Sequence, residues 1–246
     1  MPERLEILDG DVNTPTMNRE PTTLLIDADD TLWENNIYFE RVMAEFITTL
    51  GQRGHSATHV EQLLWQREQH NIRTIGYGTK GFCQSLRETI HQLDADDLAS
   101  WVREKEAWIL HHPIDLMPGV REALPLLRAE NQLVVLTKGR ADEQLPKLER
   151  SGLVPFFHAV EVVAEKNLET YRNMITKYAL APEAAWMIGN SPRSDINPAK
   201  AAGLGTVFIP YHTTWQHELE EIAPDGKTLM LENFGQLAEH FAGKSG

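Results

Sequence analysis

The feature that most constrains this chain is a short apolar run that stops in acid: Thr23-Leu24-Leu25-Ile26 passes directly into Asp27-Ala28-Asp29-Asp30-Thr31-Leu32. A short apolar run ended by turn residues reads as a buried strand of a parallel sheet. The acids then stand at the strand's C-terminal end, which is where open α/β sheets place their sites.

Further along, the pattern divides the chain. From Asn35 to about Pro113 the texture is that of amphipathic helix, with Phe39, Val42, Phe46 and Leu50 three to four residues apart and similar segments around Leu63-Leu64, Leu86 to Leu93 and Trp101 to Leu110. After Met117-Pro118-Gly119, helix and strand alternate. Strands are expected at Leu133 to Leu136, Ala159 to Val163, Ala185 to Ile188, Thr206 to Ile209 and Thr228 to Leu231, with helices between them. Such alternation implies right-handed crossovers and a parallel sheet covered on both faces. The expected fold is therefore α/β: a doubly wound, Rossmann-like core from residues 1–34 and 115–246, with a helical cap inserted at 35–114. Residues 1–20 are expected to form a loosely held N-terminal arm, and the segments near Asp30 to Asn35 and His111 to Met117 to act as hinges.

Four polar clusters follow successive strands: Asp27 with Asp29 and Thr31; Thr137 with Lys138 and Gly139; Lys166; and Gly189-Asn190-Ser191 with Asp195. All emerge at one edge of the sheet, so residues distant in sequence can converge on a phosphate-sized site. Two carboxylates one residue apart can divide the labour of nucleophile and general acid–base. Phosphoryl transfer also needs donors for the equatorial oxygens and a cation to offset their charge. A hard cation such as Mg²⁺, liganded by carboxylate, carbonyl and water, meets that need. Taken alone, an Asp-x-Asp pair is more often a turn or a helix cap, and Asn190-Ser191-Pro192 is a good turn. The shared topology is what weighs against those readings.

Leu24 to Leu32 resembles the D-x-D-x-T-L motif of the haloacid dehalogenase superfamily, with Thr137, Lys166 and a Gly-x-Ser-x-x-x-Asp segment following in that family's order. The insert resembles that family's helical cap of the first type. The resemblance implies that Asp27 forms an aspartyl-phosphate and that Asp29 protonates the leaving group and then activates water. It implies that Thr137 and Lys166 hold phosphoryl oxygens, with Thr31, Lys138 and Gly139 nearby. Magnesium would be held by the Asp27 carboxylate, the Asp29 carbonyl, Asn190 and Asp195. The carboxylate at Asp29 points to phosphatase, because the dehalogenase branch lacks it. The chain departs from the family at Asn190, where phosphatases commonly have aspartate, and at Asn167-Leu168-Glu169. An amide oxygen ligates magnesium without adding charge, which lowers the expected affinity for the ion.

Gly76-Tyr77-Gly78-Thr79-Lys80-Gly81 fits the dinucleotide fingerprint G-x-G-x-x-G, but Gln69 to Arg73 do not read as the strand that the fingerprint requires. A glycine-rich loop between cap helices is the better reading, and Arg73, Tyr77 and Lys80 are its candidates for substrate contact. His55 and His59 lack the acidic partner of a zinc helix and read as solvated. The lone Cys83 cannot form an internal disulfide.

The balance of 23 Lys and Arg against 36 Asp and Glu argues against a nucleic-acid or anionic-membrane partner, and the chain contains no apolar run of membrane-spanning length. The expectation is a cytoplasmic Mg²⁺-dependent phosphohydrolase acting on a small phosphorylated metabolite, as a monomer or dimer. Two alternatives are a phosphonate hydrolase using cap Lys80 or Lys105 as a Schiff base, and a phosphate-binding protein whose metal site has decayed at Asn190.

Overall fold

The structure, a computed structural model, describes residues 22–222 and 228–243. The expected N-terminal arm lies outside the described residues. Six strands form one parallel sheet: β1 (Thr22–Ile26), β2 (Asn131–Lys138), β3 (Ala159–Val163), β4 (Ala185–Gly189), β5 (Gly205–Phe208) and β6 (Thr228–Met230). Their spatial order is β3-β2-β1-β4-β5-β6. The chain winds one way from β1 to β3 and the other way from β4 to β6, so the switch point falls between β1 and β4. A ligand crevice opens where the crossovers diverge.

Alternation along β1 fills both sides of the sheet. Leu24 and Ile26 join Val135, Ile188 and Val207 in one cluster, covered by Val120, Leu124 and Leu127 of α5 (Val120–Glu130). Leu25 points the other way and joins Val134, Leu136 and Met187 under Tyr171 and Met174 of α7 (Leu168–Lys177). Helices α6 (Ala141–Ser151), α8 (Asn197–Ala201) and α9 (Leu237–Phe241) complete the two layers. Asn167 accepts a hydrogen bond from the Thr170 amide at 3.0 Å. It caps α7, which accounts for the Asn at that departure from the family pattern.

Between β1 and α5 run α1 (Asn36–Gly51), α2 (Ala57–Thr74), α3 (Thr79–Gln92) and α4 (Ala99–His111). They have a separate core of Val42, Phe46, Leu50, Leu64, Leu86, Ile90 and Val102. The chain enters this layer through a tight turn at Asp30, whose φ of 63° is tolerated by a short polar side chain. Its carboxylate accepts hydrogen bonds from the Asn35 and Asn36 amides at 2.8 and 3.0 Å, satisfying free donors at the start of α1.

Candidate active site

Asp27 follows β1 directly, and its amide donates to the Ile188 carbonyl of β4 at 2.9 Å, which holds it at the switch point. Lys166, three residues beyond the end of β3, reaches across the sheet edge and donates to both Asp27 Oδ1 and Asp195 Oδ1, the latter at 2.7 Å. All three side chains are buried. Thr31 Oγ1 lies 3.0 Å from Asp27 Oδ2 and 3.3 Å from Asn190 Oδ1, so β1 and β4 meet through one hydroxyl.

Asp195 comes from a single wide helical turn, Pro192–Ile196, in which the Ile196 amide bonds to the Ser191 carbonyl at 3.1 Å. Turns of this π type recur at functional sites. This one folds the carboxylate back under β4, where Asp195 Oδ2 accepts from the Ser191 amide at 3.0 Å. A side chain at Gly189 would overlap that carboxylate, so the close approach requires glycine there.

Burial pushes Asp27 up to about 7, against the pull of Lys166 and with further push from Asp195 and Asp29. Burial alone would lower Lys166, but Asp195 and Asp27 outweigh it and hold its ammonium above the usual range. Two carboxylates thus share one cation.

The donor set around them suits a hard divalent ion: carboxylate oxygens of Asp27 and Asp195 and the amide oxygen of Asn190 turned toward Thr31. Among the described residues, no group of three His, Cys, Asp or Glu side chains is placed to hold a metal. An ion here would therefore depend on the neutral oxygens and on water, in keeping with Asn190.

Asp29 turns away from this cluster. Its Oδ1 accepts from Lys147 Nζ at 2.6 Å and Trp33 Nε1 at 2.8 Å, and its Oδ2 from Gln144 Nε2 at 2.8 Å. Burial pushes its pKa up, but Lys147, Gln144 and Trp33 outweigh burial and hold the carboxyl below its ordinary range. Lys147 and Gln144 are a turn apart on α6, the helix after β2. Sequence reasoning missed both: that they faced the strand ends depended on the rotation of α6.

Thr137 is the penultimate residue of β2, paired with Val162, rather than lying past the strand as the apolar pattern suggested. It is buried and lines the same cleft as Asp27. Gly139 follows with φ 132° and brings the chain close to Gln144.

Lys138 does not join the Asp27 cluster. It contacts Glu218, donates to Ser194 Oγ at 3.0 Å, and stands 3.9 Å over the Tyr77 ring. Glu218 also accepts from Ser191 and Ser194. Nothing in the sequence signalled Glu218, which arrives from a short 3-10 turn more than twenty residues past the last motif.

The glycine-rich stretch is half loop and half helix, since α3 begins at Thr79. The Tyr77 hydroxyl donates to Glu165 at 2.9 Å, and the Thr79 amide donates to Glu143 of α6 at 2.8 Å. The loop is thereby docked on the sheet edge. Of the three candidates it offered, Tyr77 lines the cleft; Arg73 does not, and Lys80 lines a separate recess. Lys105 pairs with Glu45 over the Trp101 ring, so neither cap lysine that the Schiff-base alternative requires lines the cleft.

The cleft itself encloses about 450 Å³ between the strand ends and the helical layer. No helix among the described residues is long and apolar enough to cross a membrane.

A family model for haloacid dehalogenase-like hydrolases matches residues 21–203. A haloacid dehalogenase-like family hydrolase from Xanthomonas campestris superposes with a TM-score of 0.77 at 30% identity, covering 89% of this chain and 94% of that one. The glyceraldehyde 3-phosphate phosphatase of Methanopyrus kandleri is 26% identical over 196 residues, 76% of this chain and 82% of its own. The phosphoserine phosphatase of Thermus thermophilus is 32% identical over 82 residues, 31% of this chain and 33% of its own. With its sheet order, the placement of Asp27 at the switch point and a family match over most of its length, this chain belongs to the haloacid dehalogenase-like hydrolases.

Proposed function

We propose that the protein is a magnesium-dependent phosphatase that hydrolyses a small phosphomonoester through an aspartyl-phosphate on Asp27. The observation that carries this reading is the placement of Asp27: buried, at the switch point, between the Lys166 ammonium and the Thr31 hydroxyl, on the wall of a closed-over cleft. The names of the phosphatase relatives support the same reaction class.

In the first half-reaction an Asp27 oxygen attacks phosphorus and the ester P–O bond breaks, Asp29 relaying a proton from the monoanionic substrate to the leaving oxygen. In the second, Asp29 takes a proton from water as the hydroxide displaces Asp27 from phosphorus. Lys166 and Thr137 would supply donors to the equatorial oxygens. The Lys147 contact keeps Asp29 ionised, which is the form that the second half-reaction needs. A substrate arriving as its monoanion, with a second phosphate pKa of about 6, brings the proton for the first. Asp27, Asp195, Asn190 and the Asp29 carbonyl would hold magnesium, which would supply charge neutralisation at the phosphoryl oxygens. The helical layer over the cleft excludes bulk water and favours a compact substrate.

Phosphate release from a panel of phosphomonoesters, with and without Mg²⁺, tests this reading against Asp27→Asn. Metal-dependent release that vanishes in the variant is expected. Folded wild-type protein that releases no phosphate from any ester would overturn it and favour the binding-only reading motivated by Asn190, in which phosphate raises the melting temperature without turnover.

A further inference from the structure

Beside Tyr77, His111 and His112, the cap side of the cleft presents one carboxyl, Glu68, which the proposed phosphoryl chemistry does not use. Glu68 lies on α2 one turn before Ile72, and both line the cleft. The same helical wall of the cleft carries Phe39, Phe82 and Ile109, the two phenyl rings meeting edge to face with centroids 5.2 Å apart. Among the described residues Glu68 accepts no hydrogen bond and meets no cation, in contrast to Asp27, Asp29, Glu143, Glu218 and Asp195. Burial, with no partner to oppose it, pushes its carboxyl up to about 7. A carboxyl drawn out of water beside apolar side chains costs stability unless something pairs with it.

The charges around it narrow what that something is. No lysine or arginine from α1 to α4 lines the cleft. A leaving group bearing a carboxylate or a second phosphate would meet Glu68 with no lysine or arginine of that wall to offset the repulsion, the cleft's arginines, Arg140 and Arg150, belonging to the α6 segment. A neutral hydroxyl would donate to Glu68 but leave its charge uncompensated. An ammonium does both.

We propose that Glu68 selects the leaving group, accepting a cationic amine at the non-phosphate end of the substrate, so that aminoalkyl phosphates are the preferred class. The proposal rests on the phosphatase reading above and adds the identity of the group opposite the phosphate. It makes Glu68 a specificity residue in contact with substrate, and leaves the reaction at Asp27 as described.

The test compares kcat/KM for 2-aminoethyl, 3-aminopropyl and 4-aminobutyl phosphate with ethyl, propyl and butyl phosphate and with 3-phosphooxypropanoate, in the wild type and in Glu68→Gln. The wild type is expected to favour one aminoalkyl phosphate over its alkyl counterpart by about tenfold or more, as for a hydrogen bond to a charged group. The carboxylate ester should be poorest. In Glu68→Gln the amine-to-alkyl ratio should fall to about one. Equal use of amine and alkyl esters by the wild type, or a ratio that survives in Glu68→Gln, overturns the proposal.

p-Nitrophenyl phosphate separates the two levels of failure. Its hydrolysis without amine preference defeats the assignment of Glu68 alone, whereas well-folded protein that hydrolyses no ester defeats the phosphatase reading and this proposal together. A melting curve adds an independent check. Removing an unpartnered, partly buried carboxyl should leave Glu68→Gln as stable as the wild type or more so, and a lower melting temperature would assign Glu68 an internal structural role instead.

Discussion

The two walls of the cleft are built on different physics. On the sheet side the charged groups are matched: Lys166 with Asp27 and Asp195, Lys147 with Asp29, Lys138 with Glu218. On the helical side no lysine or arginine lines the cleft, and its one carboxyl, the partly buried Glu68, stands unmatched. Matched charges in a buried setting fix positions to a fraction of an ångström, which suits a reacting centre. An unmatched one that faces a cleft is open to pairing with a ligand. Under the proposed function, this difference assigns reaction and selection to separate layers of the fold, and substitutions in the two layers should fail in different ways.

The largest effect is expected at the nucleophile. Asp27→Asn should lower kcat by about 10⁴-fold or more while circular dichroism shows an intact fold. Residual turnover near the wild-type rate would break the comparison at its first term.

Next comes Lys166→Met, which leaves Asp27 and Asp195 buried side by side without their shared cation. It should destabilise the protein by about 3–5 kcal/mol in urea unfolding and abolish turnover. Saturating Mg²⁺ should restore part of the lost stability, because a divalent ion can take over the pairing of the two carboxylates.

Lys147→Met is expected to lower kcat by about 10²-fold with a much smaller change in KM, since it disturbs the acid–base carboxyl at Asp29 rather than binding. A change confined to KM would move Lys147 from the chemical wall to the selecting one.

A smaller effect is expected where the walls meet. Tyr77 joins the glycine-rich loop to Glu165 and covers the Lys138 ammonium. Tyr77→Ala should raise KM by roughly three- to tenfold, the scale of one lost cation–π and hydrogen-bonded contact, with kcat less affected. At the far surface of the helical layer, Arg53 and Asp97 form an exposed pair at 2.7 Å. Arg53→Ala should leave both kcat and KM unchanged, because a solvated pair contributes little.

Legibility in the sequence followed the same division. Asp27 could be found because a strand buried on both faces must be a continuous apolar run, and the residue that ends it is exposed to view in one dimension. Lys166, Asn190 and Asp195 could be found as the polar residues after later strands of the same kind. The helical layer was legible as helix, from Val42, Phe46 and Leu50, but the direction each helix faced was not. Glu68 looked like any solvent-facing glutamate on an amphipathic helix. Arg73 and Lys80 looked like better contacts than they proved, because a loop's composition does not reveal which way it docks.

The sequence by itself determined the parallel α/β core, the helical insertion and the set of residues gathered at the strand ends. These follow from local periodicity and from the rule that crossovers return strands in one direction. Only the tertiary structure decided who pairs with whom: that Lys166 bridges Asp27 and Asp195, that Asp29 is claimed by Lys147 and Gln144 of α6, and that Glu68 is left alone on the opposite wall. Pairing depends on the rotation of each helix about its axis and on the seating of one layer over another. Those are set by side-chain packing between segments far apart in the chain, and a one-dimensional pattern carries no record of them.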